Sequence, residues 1–329
     1  MSSPQSRSPH KYRYCSHVTA LHHFDSASFC KFSDWLLSDP PETPPSPTKC
    51  VLASRNTVPS YPHFPPHQNL SKSSTPSPPP SSTTPPKTLY ILDSSFNPPT
   101  LAHFQIATNA LLHDPLPSNP PKRLILLLAT QNADKAAKPA ALEQRLCMME
   151  IFARELLSKL PKLNKAEEEI GVDIALTKFP YFVEKAKCIG EDFEGAEQVH
   201  LIGYDTLTRL LDTKYYPPKH TLESVAGFLE KHRVLVTYRT DDQWGSRGEQ
   251  DGFVREIGDG LLDEKGGRKE WVKEGRIVMV EGRKEGEAVI SSTKVREAAK
   301  GGDREALKEL VTEGVGEWIM EEGLYSSDE

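Results

Sequence analysis

The chain has 329 residues, 26% of them charged, with a formal charge of −6. Residues 1–87 carry a net +4 and residues 88–329 a net −10. That acidic balance argues against a duplex nucleic-acid partner, whose affinity rests on Lys and Arg neutralising phosphates, but leaves room for a small phosphorylated ligand.

The start, MSSPQSRSPHKYRYC, is basic but has no apolar h-region, so a secretory signal is not expected. Pro4 and Pro9 disfavour the amphipathic helix of a mitochondrial address, although Asp25 is the first acid. No apolar run approaches the roughly 18–20 residues of a membrane span. Cys15, Cys30, Cys50, Cys147 and Cys188 are odd in number and show no C-x-x-C spacing. A reducing compartment follows as the expectation, cytoplasmic or nuclear.

In chain order, 18–37 holds enough aromatics for one short helix, and His22–His23 lacks the helical partner a metal site would need. Residues 40–87 are rich in Pro, Ser and Thr; such a tract buries too little apolar surface to offset its ordering entropy. It reads as a disordered linker, with an SH3 or WW ligand, and hence a protein partner, as the functional alternative. The expected organisation is therefore an arm over 1–87 and a catalytic domain over 88–329.

From residue 88 the texture changes. Short β-rich runs at 89–92, 123–130, 172–177, 199–203, 233–238 and 276–280 alternate with helical patterns at 101–112, 142–160, 206–211 and 222–230. This alternation predicts an α/β fold with a Rossmann-like, doubly wound parallel sheet. Apolar runs such as LILLLA suit strands covered on both faces. Residues 241–275 are rich in Gly, Asp and Lys and read as a surface insertion with one short helix, and 292–320 reads as helical.

Ligands of open α/β sheets bind beyond the carboxyl ends of the strands. The first strand runs into DSSFNPPTLAH, where Pro98 and Pro99 suit a helix start. Thr100 and His103 then share one face of the first turn, beside free backbone N–H groups that attract phosphate. The plain alternative is a capped helix with an ordinary histidine. A second cluster opens the late helix: Ser292 or Thr293 as N-cap, with Arg296 facing the same way. A hydroxyl, exposed N–H groups and a guanidinium at one helix start can clamp phosphate.

The two clusters together resemble the nucleotidyltransferase superfamily. Its (H/T)-x-G-H and I-S-S-T-x-x-R motifs stand here as Thr100-Leu101-Ala102-His103 and Ile290-Ser291-Ser292-Thr293-Lys294-Val295-Arg296. Within it, the chain is most similar to nicotinamide/nicotinate mononucleotide adenylyltransferases. Ser94-Ser95-Phe96-Asn97-Pro98 resembles G-S-F-(D/N)-P, and Asn132-Ala133-Asp134-Lys135 resembles N-P-x-K. Glu143-Gln144-Arg145-Leu146-Cys147-Met148 resembles E-H-R-L-x-M, Leu201-Ile202-Gly203-Tyr204-Asp205 resembles I-I-G-x-D, and Arg239 ends a strand as the family's arginine does. The likeness spans about 88–323, and the DSSFNPPTLAH form with the terminal Gly-Leu-Tyr is similar to the fungal branch.

The resemblance implies transfer of AMP from ATP to a pyridine mononucleotide with Mg²⁺ carried on the phosphates and no dedicated protein metal site. It gives His103 the α-phosphate with Thr100 assisting, Lys135 the triphosphate or the attacking phosphate, and Ser292, Thr293 and Arg296 the leaving pyrophosphate. Gly203 and Asp205 are implied at adenosine, with Ser95, Phe96, Asn97, Arg145, Arg239 and Ser291 among the ATP- and substrate-binding residues. Two departures stand out. Ser94 replaces a glycine, where a positive φ would be strained, and the pyridine-stacking Trp is missing, leaving Tyr181, Tyr215 or Tyr216 for that role. Another nucleotidyltransferase, of cytidylyltransferase or pantetheine-phosphate adenylyltransferase type, and an ATP-binding or ATP-hydrolysing scaffold are the alternatives. Homo-oligomerisation stays open.

Overall fold

The computed structural model describes residues 51–56, 85–129, 140–163, 170–239, 242–282 and 288–326. Six strands lie parallel: β2 (Thr88–Asp93), β3 (Lys122–Ala129), β4 (Ile170–Thr177), β5 (Glu197–Gly203), β6 (Arg233–Thr237) and β7 (Ile277–Val280). Their order across the sheet is β4-β3-β2-β5-β6-β7, with β1 (Val51–Asn56) antiparallel on the outer edge of β4. This is the doubly wound arrangement expected from the sequence, with its order reversing between β2 and β5.

β1 is a finding that the sequence reading, which placed no strand before residue 88, did not anticipate. VLASRNTV is a proline-free interval between Pro47 and Pro59, so it can extend and donate to a neighbouring ladder. The helix expected at 18–37 and most of the Pro-rich tract lie outside the described residues.

The strands are continuously apolar because both faces are covered. In β2, Leu89 and Ile91 point to one face, where they pack with Ile125, Leu127, Ala175 and Ile189, while Tyr90 and Leu92 point to the other. The crossovers are α1 (Leu101–His113), α2 (Leu142–Leu163), α3 (Phe182–Asp192), the short α4 (Tyr204–Leu210) with α5 (Glu223–Lys231), and α6 (Arg247–Gly258) with α7 (Glu270–Lys273). Three helices close the fold: α8 (Ser292–Lys300), α9 (Arg304–Lys308) and α10 (Glu313–Glu321). The expected helical stretch at 292–320 is thus broken at Gly301–Gly302 and again before Thr312. Among the described residues, no helix is long and apolar enough to cross a membrane.

Two helical regions differ from expectation. α3 was not foreseen, because Lys185 occupies a core position and interrupts its apolar period; Lys185 is buried with Ala186, Cys188 and Ile189. It tolerates burial because its ammonium pairs with Asp93, the last residue of β2. The stretch expected as a surface insertion is instead the crossover between β6 and β7. Val254, Ile257, Leu262 and Trp271 from it are buried in the same core as Leu207, Leu229 and Val236. Its many charges lie on the outer faces, which is why composition alone made it look superficial.

At the opposite end of the sheet from the strand carboxyl termini, three elements meet on one carboxylate. Asp114, just after α1, takes bidentate bonds from Arg233 of β6 at 3.0 and 2.7 Å and accepts the Tyr90 hydroxyl of β2 at 2.8 Å. Arg233 also reaches Glu197 of β5 at 3.2 Å. The Arg233 and Asp114 side chains are 3% and 4% exposed, so neither charge has water to fall back on. We expect Asp114→Ala to cost about 3–5 kcal/mol, because it removes the bidentate partner of a buried guanidinium and leaves it Glu197 alone. A urea midpoint matching wild type would show that the pair is not holding these strands.

Candidate active site

The reversal of strand order puts the ends of β2 and β5 side by side, with Leu92 opposite Leu201. The loop after β2 carries the first cluster. Thr100 is the N-cap of α1, and its backbone N–H donates to His103 Nδ1 at 3.0 Å. Nδ1 is therefore the unprotonated ring nitrogen; it also lies 2.9 Å from the Thr100 hydroxyl. Nε2 carries the proton and points at Ser94 Oγ, 2.9 Å away. Burial, with Arg239 nearby, pushes the His103 pKa down to about 4. The imidazole is a fixed, neutral N–H donor at a helix N-terminus.

Positive φ falls not on Ser94 but on Phe96, at 44°, so the strain expected at the first position sits two residues later. Phe96 is fully buried with its ring 5.3 Å from that of His103, whereas Ser95 is exposed.

The second cluster docks directly on this loop. Ser291, rather than Ser292 or Thr293, is the N-cap of α8, accepting the Lys294 N–H at 3.3 Å. That frees Ser292 to donate to the Pro98 carbonyl at 2.9 Å. Arg296 Nη1 donates to the Asn97 carbonyl at 2.9 Å and Nη2 to Thr293 Oγ1 at 3.1 Å. Two motifs nearly 200 residues apart are thereby fastened into one surface with two helix N-termini.

The third group follows β5. Gly203 is the N-cap of α4, and Asp205 lies in its first turn. A Cβ at Gly203 would meet Asp205 Oδ1 at 2.6 Å and Arg239 Nε at 3.2 Å, so a side chain there would displace this pair. Asp205 accepts from Arg239 at 2.7 Å and from Arg209 at 2.8 Å. Arg239 is set by a residue the sequence reading missed: Gln250 of α6, wholly buried, accepts the Arg239 N–H at 3.1 Å and donates to its carbonyl at 2.5 Å. A glutamine inside a charged helix gives no signal of its own; only the fold brings it to that backbone.

The remaining expected residues divide. Arg145, in the first turns of α2, is half-buried, and its Nε is shut off from solvent without a hydrogen-bond partner. Burial lowers the Arg145 pKa, and the Tyr325 phenol is among the groups acting on it. Lys135 and the rest of Asn132-Ala133-Asp134-Lys135 lie outside the described residues. Of the three tyrosines, Tyr216 donates to the Leu210 carbonyl at 2.7 Å and Tyr215 lies under the Lys214 ammonium at 4.8 Å. Tyr181, beyond the carboxyl end of β4, keeps an exposed ring and lies near enough to Tyr216 to act on its hydroxyl. A cavity of about 460 Å³ lies further along α1 against β5–β7, lined by Ile106, Ala110, Leu201, Leu235, Met279 and others, and none of the expected site residues lines it.

The site thus combines a neutral imidazole N–H, two helix N-termini and the guanidiniums of Arg239 and Arg296, a set suited to holding a chain of phosphates. Because the folded pKa of His103 lies below the ordinary histidine value near 6.5, the unfolded chain takes the proton first. His103 therefore subtracts stability as pH falls from about 6.5 towards 4, and contributes nothing to the pH dependence above that window. A nitrogen-detected NMR spectrum of the free protein at pH 6 should show His103 neutral with the proton on Nε2. Titration near 6.5 would overturn this assignment.

A curated Schizosaccharomyces pombe protein, named provisionally a nicotinamide mononucleotide adenylyltransferase, is 31% identical over 229 residues, covering 70% of this chain and 82% of its own. Two Plasmodium falciparum nicotinic acid mononucleotide adenylyltransferase structures, one complexed with NaAD and one with APC, align with TM-scores of 0.46 and 0.45. They are 13% and 12% identical, and each alignment covers 74% of this chain and 98% of the other. No protein-family model matches. Identity of this level across most of both chains makes this chain a member of the nicotinamide mononucleotide adenylyltransferase family.

Proposed function

We infer that the chain transfers AMP from ATP to nicotinamide or nicotinate mononucleotide, forming NAD or its deamido form and releasing pyrophosphate. Besides family membership, the observation that carries this reading is the fastening of α8 onto the Asn97–Pro98 loop. It sets the His103 N–H and the Arg296 guanidinium around one crevice.

An oxygen of the acceptor's 5′-phosphate attacks the α-phosphorus of ATP, and the bond to the β-phosphate oxygen breaks. Little covalent chemistry is asked of the protein; it aligns the two phosphates and stabilises charge. The His103 Nε2–H, now turned to Ser94, donates to an α-phosphate oxygen as charge builds there. Thr100 fixes the ring through Nδ1. Ser292, Thr293 and Arg296 receive the β- and γ-phosphates, with Arg296 already oriented by Asn97 and Thr293. Asp205 takes the adenosine ribose, held in place by Arg239 and Arg209. The resemblance assigns Lys135 to the triphosphate or the attacking phosphate, and Tyr181, the exposed ring of the three candidates, stacks on the pyridine.

The nearby carboxylates of Asp93 and Asp205 are engaged by Lys185 and by two arginines. This fits a Mg²⁺ ion held mainly by the phosphates and its waters, not a carboxylate cage. The ion supplies charge neutralisation on the triphosphate.

Incubating the protein with ATP, Mg²⁺ and a panel of phosphorylated acceptors, with products read by mass, tests the reading. Dinucleotide formed only from a pyridine mononucleotide supports it; product from phosphopantetheine, cytidylyl transfer when CTP replaces ATP, or slow ATP hydrolysis alone overturns it. His103→Ala should lower kcat by about 10²–10³-fold with ATP binding little changed. Arg296→Lys keeps the charge but loses the planar fork. It should weaken use of ATP and, in reverse, of pyrophosphate, with the mononucleotide KM nearly constant. A loss confined to the mononucleotide would mean that the two substrates lie the other way round.

A further inference from the structure

The residues that follow α10 turn back onto the site. Gly323, at a φ of 61°, ends the helix, and the Leu324 N–H bonds back to the Ile319 carbonyl at 3.0 Å, the long bond of a Schellman turn. Leu324 is buried at 8% exposure, so the turn is anchored by an apolar contact. Tyr325 follows with a φ of 64°, a left-handed conformation that a tyrosine adopts only against a steric cost. Its hydroxyl lies 2.9 Å from Asn97 Oδ1 and 4.0 Å from the sulfur of Met148 on α2.

Asn97 is the point at which this matters. The preceding residue, Phe96, holds the other strained backbone of the site, and such conformations persist only where the surroundings over-determine them. The loop is fastened on one side by Arg296 on the Asn97 carbonyl and Ser292 on the Pro98 carbonyl. At its start, the Ser94 N–H is held by the Leu127 carbonyl at 3.1 Å. Tyr325 fastens the Asn97 side chain as well.

We propose that Tyr325 is a positioning residue of the adenylyl-transfer site: its hydroxyl bonds the Asn97 side chain and, with Arg296 on the same residue's carbonyl, holds the 94–100 loop in the shape that presents the His103 N–H. Burial raises the phenol's pKa, partly offset by the neighbouring Arg296 and Arg145. The hydroxyl therefore stays protonated and donates to Asn97 throughout the working pH range.

The inference rests on the adenylyltransferase reading, so wild type is assayed beside Tyr325→Phe, Asn97→Ala and the double variant. Tyr325→Phe keeps the ring and its packing and removes one hydrogen bond. Its thermal midpoint should stay within about 4 °C of wild type. Its kcat should fall about tenfold, with KM for ATP and for the mononucleotide within about twofold, since the loss is one of alignment. Asn97→Ala should lower kcat at least as far, and the double variant should be no slower than Asn97→Ala alone, because both changes remove the same bond. Wild-type kcat in Tyr325→Phe, effects that multiply, or a raised KM at unchanged kcat would each overturn the inference while the adenylyltransferase reading stands. A wild-type protein that makes no dinucleotide overturns the functional reading, and this inference with it.

Discussion

A parallel sheet cannot turn back on itself by hairpins; every strand is followed by a crossover that must cover one face or the other. In this chain the direction of crossing reverses between β2 and β5, and no helix can fill the crevice between two connections that leave in opposite directions. Everything else in the site depends on that opening. The loop after β2 brings Thr100 and His103 to it, and the turn after β5 brings Gly203 and Asp205. The carboxyl end of β6 adds Arg239, and α8 arrives across the top to clamp the first of these loops.

The charges around the crevice follow one logic. Two carboxylates near it are matched to cations: Asp93 to Lys185, and Asp205 to Arg239 and Arg209. His103 is held neutral by burial and by the neighbouring Arg239. The free protein therefore presents N–H donors and guanidiniums with little uncompensated negative charge, the condition a polyphosphate requires. The chain as a whole is acidic, at a formal charge of −6, so this cationic character is local and built by the fold.

The same economy appears in the stretch between β6 and β7. Its helices α6 and α7 bury Val254, Ile257 and Trp271 in the core while α6 uses Gln250 to fix the backbone of Arg239. A segment whose composition suggested a surface insertion links the hydrophobic core to the backbone of Arg239 beyond β6. Buried amides of this kind are costly unless every polar atom finds a partner, and here the acceptor oxygen and the donor nitrogen of Gln250 are both engaged.

How far the sequence went is visible in particular residues. The six parallel strands were legible because continuous apolar runs of strand length, separated by helical periods, have few other solutions. The two helix starts that carry Thr100 with His103 and Ser292 with Arg296 were legible because helix starts are marked by prolines and hydroxyls within a few residues. Local spacing did not decide the rest. Lys185 hid α3 from view because its burial depends on Asp93, 92 residues away. Ser291 caps α8 while Ser292 bonds the Pro98 carbonyl, 194 residues away. Gln250 and Tyr325 acquired their roles only from backbone and side-chain atoms that the fold delivers to them. Periodicity and capping are written within a few residues of chain and can be read there, whereas a hydrogen bond between residues 228 apart exists only once the sheet and its crossovers have fixed both ends.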